Sequence, residues 1–265
     1  MSRLPSLFIS HGAPTFALSP GTAGAQLSVL GRRLPRPRAV LVVSPHWLTV
    51  APKVTATTAP ETIYDFGGFD PALYDLRYPA PGDPQLAQHV VTLLRRAGWP
   101  AVLDARRGLD HGVWVPLLHL YPQADVPVLQ VSMPARLTGE SAYRLGLALA
   151  PLADDGVLIV GSGSLTHNLY ELHAEDSAAV AYASEFTRWI REAVARGDHD
   201  ALQRALGIAP HGQRAHPTPE HYWPLPIAAG ALATSTTKRS ASRRMSCALT
   251  TTPSIRVVEL FITIS

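Results

Sequence analysis

Three histidines follow short apolar runs at widely separated points of the chain. "LFISH" ends on His11, "LVVSPH" ends on His46, and "LIVGSGSLTH" reaches His167 a few residues after its apolar run. Neutral imidazole binds zinc, iron, copper and nickel, and three protein ligands with open positions make a catalytic rather than a structural site. A lone histidine at such a place is more often a hydrogen-bonded structural residue. Three with the same arrangement favour a shared metal site.

Two further histidines have neighbours that suit the same site. His221 lies in "PTPEHYWPL", which predicts the first turn of a helix, and His111 lies in "GLDHGVW", between Asp110 and Gly112. A histidine beside a metal can act as a general acid or base near neutral pH, although Asp-His-Gly is also compatible with a tight turn. The remaining histidines lack these settings and are expected at the surface, in loops or in packing: His89, His119, His173, His199, His211 and His216.

The elements that must position these histidines form an alternating pattern. Apolar runs rich in Val, Ile and Leu, without strict alternation, predict strands buried on both faces at 7–10, 39–44, 126–132 and 157–161. Helical spacing of apolar residues predicts helices at 84–97, 138–152, 178–196 and 219–232. This alternation predicts an α/β fold with a central mixed, largely parallel sheet flanked by helices. Ligands of such sheets bind beyond the carboxyl ends of the strands, so the metal site is expected at that edge.

Composition limits the class of protein. A chain of 265 residues with 46% hydrophobic and 16% charged residues predicts one globular domain. The net charge of +3, without a basic stripe that alternates with aromatic residues, argues against a nucleic-acid partner. The single cysteine, Cys247, excludes an intrachain disulfide and a cysteine-based zinc site. No signal peptide or apolar run of ~20 residues is evident, so we expect a cytoplasmic protein that does not bind membranes. A monomer or a homodimer is expected.

The last part of the chain has a different composition. Residues 234–265 contain "TSTTKRSASRRMS", rich in Ser, Thr and basic residues, followed by the apolar run "IRVVELFITIS". The first part predicts a flexible or poorly specified segment, and the second predicts a strand. We therefore expect a catalytic domain over residues 1–233 and an atypical C-terminal segment over 234–265.

Several of these motifs together resemble the class III extradiol ring-cleaving dioxygenases, in the branch of the 4,5-DOPA extradiol dioxygenases. The resemblance covers most of residues 5–231, and its motifs occur in the family's order. They are "LFISHGAPT", "VVSPHW", "TIYDFGGFDPALYDLRYPAPGDP", "GLDHGVWVPLLHLYPQADVPVLQVS", "GSGSLTHNL" and "HPTPEHYWPLPIAAGA".

The resemblance implies a set of roles for particular residues. It implies that His11, His46 and His167 bind one metal, that His221 lies at the same centre, and that His111 is a second-sphere acid or base. It also implies non-haem iron(II) as the cofactor, with zinc possible in the purified protein, and a catechol and O₂ as substrates.

Aromatic residues near these motifs are candidate substrate contacts. Tyr64, Asp65 and Phe66 fall in a loop rich in Pro and Gly and are expected at the mouth of the site. Tyr222 and Trp223 are further candidates for contact with the substrate ring. Ordinary packing is an equally good interpretation of the aromatic residues.

The resemblance stops after "AAGALA", where the chain changes composition. A change of reading frame near the end of the gene is one hypothesis for this departure.

Two other functions are compatible with the residues. A zinc hydrolase would use a histidine-bound zinc to activate water, but no clear carboxylate base lies beside the motifs. A non-catalytic metal-binding protein with the same fold is the other alternative.

Overall fold

The computed structural model describes residues 3–171, 177–232 and 256–258. Its strands and helices alternate along most of the chain, as the sequence predicts. The strands are β1 (Ser6–Ser10), β2 (Ala39–Thr49), β3 (Lys53–Thr55), β4 (Val102–Asp104), β5 (Val128–Pro134), β6 (Val157–Gly163) and β7 (Arg256–Val258). The helices are α1 (Gly21–Arg33), α2 (Pro84–Arg96), α3 (His111–Leu120), α4 (Gly139–Leu149), α5 (Ser177–Arg196), α6 (His199–Ile208), α7 (Gly212–Ala215) and α8 (Pro224–Ala231).

The described strands form one sheet in the order β4-β3-β5-β2-β6-β1-β7. Every neighbouring pair is parallel except β3 and β5, which are antiparallel. The predicted fold class, a mixed and largely parallel sheet flanked by helices, is therefore confirmed. Strands β1, β6 and β2 are neighbours, so their carboxyl ends lie side by side at one edge.

The four predicted strands are all present, but their limits differ from the prediction. Strand β2 continues past the predicted end at residue 44 to Thr49, and its pairing with β5 shifts register between Val43 and Leu48. Strands β3 and β4 are not predicted by the sequence pattern. Each has only 3 residues, too few for a periodic pattern to be visible in the sequence.

Helix boundaries follow local signals where such signals exist. Asp83 accepts a hydrogen bond from the Leu86 amide at the start of α2, and Pro84 occupies its first turn. The helix predicted from residue 219 begins only at Pro224, and residues before it form a turn. His221 therefore precedes α8, and its predicted place inside a helical turn is wrong.

Helices α1, α3 and α6 are not predicted by the sequence pattern. Helix α3 is buried over most of its surface and contains Pro116. A helix that is apolar all round shows no amphipathic period, and this removes the signal on which the prediction depends.

The core lies on both faces of the sheet. Val40 and Val42 of β2 pack on one face with Leu27 of α1 and Val113 of α3. Alternate residues of the same strand pack on the other face with α2, α4 and α8. Burial on both faces explains why the strand sequences lack polar alternation. Among the residues that the structure describes, no helix is both long enough and apolar enough to cross a membrane.

Strand β7 lies within the run that predicts a C-terminal strand. Strand β7 pairs in parallel with Leu7–Ile9 of β1. It is therefore the edge strand of the described sheet on this side. The Ser- and Thr-rich segment predicted to be flexible lies outside the described residues.

Candidate metal centre

Three adjacent strands bring three of the predicted histidines to one edge of the sheet. His11 directly follows β1, and Gly12 after it adopts φ 64°, which turns the chain away. His46 lies in β2 beyond the point where its ladder with β5 loses register. His167 follows β6 by a few residues. Because β2, β6 and β1 are parallel neighbours, their carboxyl ends converge.

One set of possible ligand atoms consists of His11, His46 and His221 alone, and these atoms lie within 4.8 Å of one another. The Nε2 atoms of His11 and His46 are 3.1 Å apart. Two nitrogens bound to one ion at ~2.0–2.1 Å lie about 3 Å apart when they are adjacent ligands. The spacing and the donor type therefore fit one divalent metal ion of the transition series.

His167 joins this centre through His221. The two imidazole rings are stacked with centroids 3.4 Å apart and an interplanar angle of 9°. His167 forms a second compact group with Glu220 and His221. The predicted residues thus come together, with His221 shared between the two groups.

Burial and mutual proximity keep His11, His46 and His167 neutral. The pKa of His11 is well below its usual value, first because the ring is buried and then because His46, His111, His221 and His167 surround it. Burial, followed by the neighbouring histidines, also lowers the pKa of His46. The pKa of His167 falls to about 4, mainly through burial. Neutral imidazole is the form that binds a metal.

Ser162 fixes which nitrogen of His11 carries the proton. The Ser162 hydroxyl donates to the Gly112 carbonyl, so its oxygen accepts from His11 Nδ1 at 2.9 Å. The lone pair of His11 is consequently at Nε2, the atom that faces His46. Hydrogen bonds of this kind orient metal ligands and raise their basicity.

Asp65 connects His111 to His46. One carboxylate oxygen accepts from the His111 amide at 2.9 Å and lies 3.0 Å from His111 Nδ1. The other is 3.6 Å from His46 Nδ1. Burial acts to raise the pKa of Asp65, but its contacts with His111 and then His46 outweigh that effect, and the pKa is lowered. The carboxylate therefore lies beside two rings whose centroids are 4.0 Å apart.

Aromatic side chains extend from His111 towards the surface. The Phe66 ring packs edge-on against His111 at 5.7 Å and also contacts Phe69, which is 37% exposed. The Tyr64 ring lies 6.2 Å from Phe66, and its hydroxyl donates to the Leu76 carbonyl at 2.6 Å. Phe66 is thus the predicted mouth residue whose ring reaches the histidines.

Tyr222 and Trp223 lie on the inner side of the turn that carries His221. Tyr222 is fully buried, and its hydroxyl donates to the Leu202 carbonyl at 2.7 Å. Trp223 packs on the hydrophobic clusters beside it and precedes α8. Tyr222 is thus held in the core, whereas Trp223 is only partly buried. Contact of either side chain with a substrate ring stays a prediction.

Two glycines of β6 allow the turn before α8 to pack against the sheet. A Cβ at Gly163 would overlap the His221 carbonyl, and one at Gly161 would overlap the Pro224 carbonyl. The Ser164 amide donates to the same His221 carbonyl at 2.9 Å. The "GSGS" sequence at this strand end is the signal that could have predicted a close backbone contact.

Several residues of the site are not predicted by sequence reasoning. Glu220 lies 3.2 Å from His221 Nδ1, and this contact, with a smaller contribution from Thr218, lowers its pKa to about 2. Asp110 is completely buried next to His111, and burial raises its pKa. Ser162 and Gly112 support His11, as described above. Only the adjacency of Glu220 and Asp110 to histidines is visible in the sequence.

The family model and two relatives that match this chain are described as ring-opening or extradiol dioxygenases. Residues 7–258 match the family described as the catalytic LigB subunit of aromatic ring-opening dioxygenase. The chain is 42% identical to a 4,5-DOPA dioxygenase extradiol of Beta vulgaris, over 85% of this chain and 86% of that protein. It is 40% identical to the 4,5-DOPA dioxygenase extradiol of Escherichia coli K12, over 87% and 86% of the two chains.

A solved structure has the same fold. The crystal structure of an uncharacterised protein from Escherichia coli K12 superposes with a TM-score of 0.64 at 34% identity, and the match covers 78% of this chain and 81% of that one.

Proposed function

This chain belongs to the LigB family of aromatic ring-opening dioxygenases and is an extradiol dioxygenase, and we propose that it opens catechols at a metal held by His11, His46 and His221, with His167 at the same centre. One observation carries the proposed ligand set. Three imidazoles from three separate parts of the chain place their ligand atoms within 4.8 Å of one another. Family membership separates this enzyme from a zinc hydrolase.

We propose iron(II) as the metal, with zinc as a possible occupant of the purified protein. Histidine nitrogens without thiolates, and with carboxylates at the rim, suit non-haem iron(II) or zinc. When bound, the ion would offer separate open coordination positions to the two catechol oxygens and to dioxygen, and a path for electrons between them. The chain's own contribution is to hold three histidine ligands at one edge of the sheet and to leave the remaining positions to the substrates.

His111 is proposed as the acid–base residue. Its Nδ1 faces Asp65 at 3.0 Å, so its Nε2 remains available to accept a proton from a catechol hydroxyl and later return it to an oxygen of the product. The ring lies beside His46 and His11, which places this proton transfer next to the proposed ligands. Asp65 holds the orientation of the ring and need not touch the substrate.

The substrate is proposed to be a catechol that carries a side chain. Relatives of this chain are named for 4,5-DOPA, which supports L-DOPA as the first compound to examine. The edge-on contact between Phe66 and His111 supports a flat aromatic ring bound between them and the metal, where ring packing adds to affinity. Tyr64 supports the same wall through its contact with Phe66.

Oxygen consumption by the metal-loaded protein tests the proposal. Metal-free protein is loaded anaerobically with iron(II) and mixed with oxygen and L-DOPA, caffeate or protocatechuate. The expected result is uptake of one O₂ per catechol, with a yellow ring-cleavage product. The His46→Ala variant serves as the control. Absence of oxygen uptake with every catechol, in protein shown to hold iron, would contradict the proposal.

The domain limits and the cellular setting are also proposed. We propose that residues 1–233 form the catalytic domain of a cytoplasmic monomer or homodimer, and that 234–265 is an atypical segment. The change of composition after residue 233 supports this division. Sequencing the end of the gene tests the reading frame, and light scattering measures the oligomeric state.

A further inference from the structure

Asp110 is a fully buried carboxylate beside the candidate metal centre that the proposed chemistry does not use. It stands at the N-terminal boundary of α3, yet its side chain does not cap the helix. Its oxygens instead accept hydrogen bonds from Ser44 at 2.9 Å, from Gln130 and from Arg107 at 3.2 Å. Ser44 lies in β2 and Gln130 in β5, so this carboxylate joins the start of α3 to two central strands.

The backbone at His46 lacks the usual ladder partners. The β2–β6 pairing ends at Val43, and the β2–β5 pairing resumes only at Leu48. A buried backbone group without a partner is costly. The orientation of a ligand on this segment must therefore come from contacts other than those of the sheet.

Both backbone polar groups of His46 connect to Asp110 through one side chain each. The His46 amide donates to Ser44 Oγ at 3.3 Å, and Ser44 donates to one oxygen of Asp110. The His46 carbonyl accepts from Arg107 at 3.2 Å, and the same nitrogen of Arg107 donates to the other oxygen of Asp110. The two paths close a ring of hydrogen bonds around the ligand residue.

Packing reinforces this ring. The Arg107 guanidinium lies over the Trp47 ring at 5.2 Å, next to His46 in sequence. Gly112 of α3 leaves just enough space for the His46 imidazole, since a Cβ there would be 2.9 Å from His46 Cδ2. The position of His46 is thus defined by the start of α3 as well as by its own strand.

We propose that Asp110 is a positioning residue for His46, acting through Ser44 and Arg107, and that it sets the affinity of the centre for its metal. The inference rests on the proposed role of His46 as a ligand. Mutation of groups that orient metal ligands commonly reduces metal affinity by about 10–100-fold.

Metal affinity measured without turnover tests this inference. Purified full-length Asp110→Asn and Arg107→Gln are freed of metal, and Zn²⁺ binding is measured by competition with a chromophoric chelator. Co²⁺ loading provides a ligand-field spectrum that reports the ligand geometry. The expected result is a Zn²⁺ Kd raised about 10–100-fold in both variants, with an altered Co²⁺ spectrum. If Asp110→Asn does not fold, Arg107→Gln still tests the ring, because it removes the Arg107 contacts with the His46 carbonyl and with Asp110 together; a wild-type Kd and spectrum in that variant would then overturn the proposal.

Two reference variants separate the possible failures. Tyr78→Phe removes a buried hydrogen bond to the Tyr121 carbonyl, away from the histidines, and should lower thermal stability without changing the Kd or the spectrum. His46→Ala should lose tight binding altogether. If His46→Ala binds Zn²⁺ like the wild type, the proposed ligand set fails. If His46→Ala loses the metal while Arg107→Gln and folded Asp110→Asn keep the wild-type Kd and spectrum, the positioning role of Asp110 is wrong.

Discussion

Replacing Gly112 with alanine should loosen the metal centre through steric overlap alone. Gly112 is the second residue of α3, in ordinary helical conformation, so alanine brings no backbone strain. Its Cβ would be 2.9 Å from His46 Cδ2 and closer still to Ser44 Oγ. Ordinary contact between carbon atoms is ~3.5–4.0 Å, so His46 must move by roughly half an ångström or more.

The expected magnitude follows from the two opposing effects of the substitution. Overpacking a rigid site lowers the free energy of unfolding by roughly 1–3 kcal/mol. The higher helix propensity of alanine over glycine raises it by about 0.5–1 kcal/mol. A net loss of about 1–2 kcal/mol should lower the Tm of the metal-free protein by about 2–8 °C. Displacement of His46 should also raise the Zn²⁺ Kd at least about 10-fold.

Thermal unfolding and chelator competition measure the two effects separately. Gly207→Ala is the matched control, because Gly207 is an exposed residue of α6 and a methyl group added there would meet no atom within 4 Å. The Gly207→Ala protein should be about 0.5–1 kcal/mol more stable to unfolding, with an unchanged Zn²⁺ Kd. A Gly112→Ala protein with wild-type Tm and wild-type Kd would refute the argument that His46 is held against the backbone of α3.

Three other substitutions test the remaining roles. Ser162→Ala leaves His11 Nδ1 without its partner and should cost about 1–3 kcal/mol, with weaker Zn²⁺ binding; unchanged binding would show that the tautomer of His11 is set elsewhere. His111→Ala should keep the metal, measured by elemental analysis, while the rate of ring cleavage falls by roughly 10²–10⁴-fold. His46→Ala should lose the metal itself. Metal loss in His111→Ala and metal retention in His46→Ala would overturn both assignments. Burial lowers the pKa of His216 to about 3, so the unfolded chain binds a proton below pH 6.5 that the folded chain does not. The free energy of unfolding of the metal-free protein should therefore fall by about 2 kcal/mol through this group between pH 7 and pH 5. Denaturant unfolding at the two pH values should show a smaller fall for His216→Gln. An equal fall in both proteins would contradict the role of His216.

The sequence predicts the part of the fold that depends on local patterns. Four central strands and the helix at α2 are found because a run of Val, Ile and Leu, or a capped amphipathic segment, is visible within ten or fifteen residues. Helix α3 escapes prediction for a physical reason: it is buried on nearly all sides, and a uniformly apolar helix carries no period. The three-residue strands β3 and β4 carry no pattern either.

In the candidate site, too, local sequence patterns reveal some residues and tertiary contacts decide the others. The sequence indicates His11 and His46 because each follows its own predicted strand, and the parallel order of neighbouring strands brings their carboxyl ends together. The sequence predicts His221 on a helix, whereas the structure has it on a turn that packs against Gly163. That contact joins residues nearly sixty positions apart, so no local pattern could reveal it.

The residue types by themselves thus predicted a metal site built from histidines and which strands carry two of them. Tertiary structure alone decided how those histidines are held. It directed Asp65 at His111 and His46, set the proton of His11 through Ser162, and enclosed the backbone of His46 in hydrogen bonds that end on Asp110. It also placed the Tyr222 side chain in the core. The physical reason is that a ligand's identity is a property of one residue, whereas its orientation depends on partners that only the folded chain brings within hydrogen-bond distance.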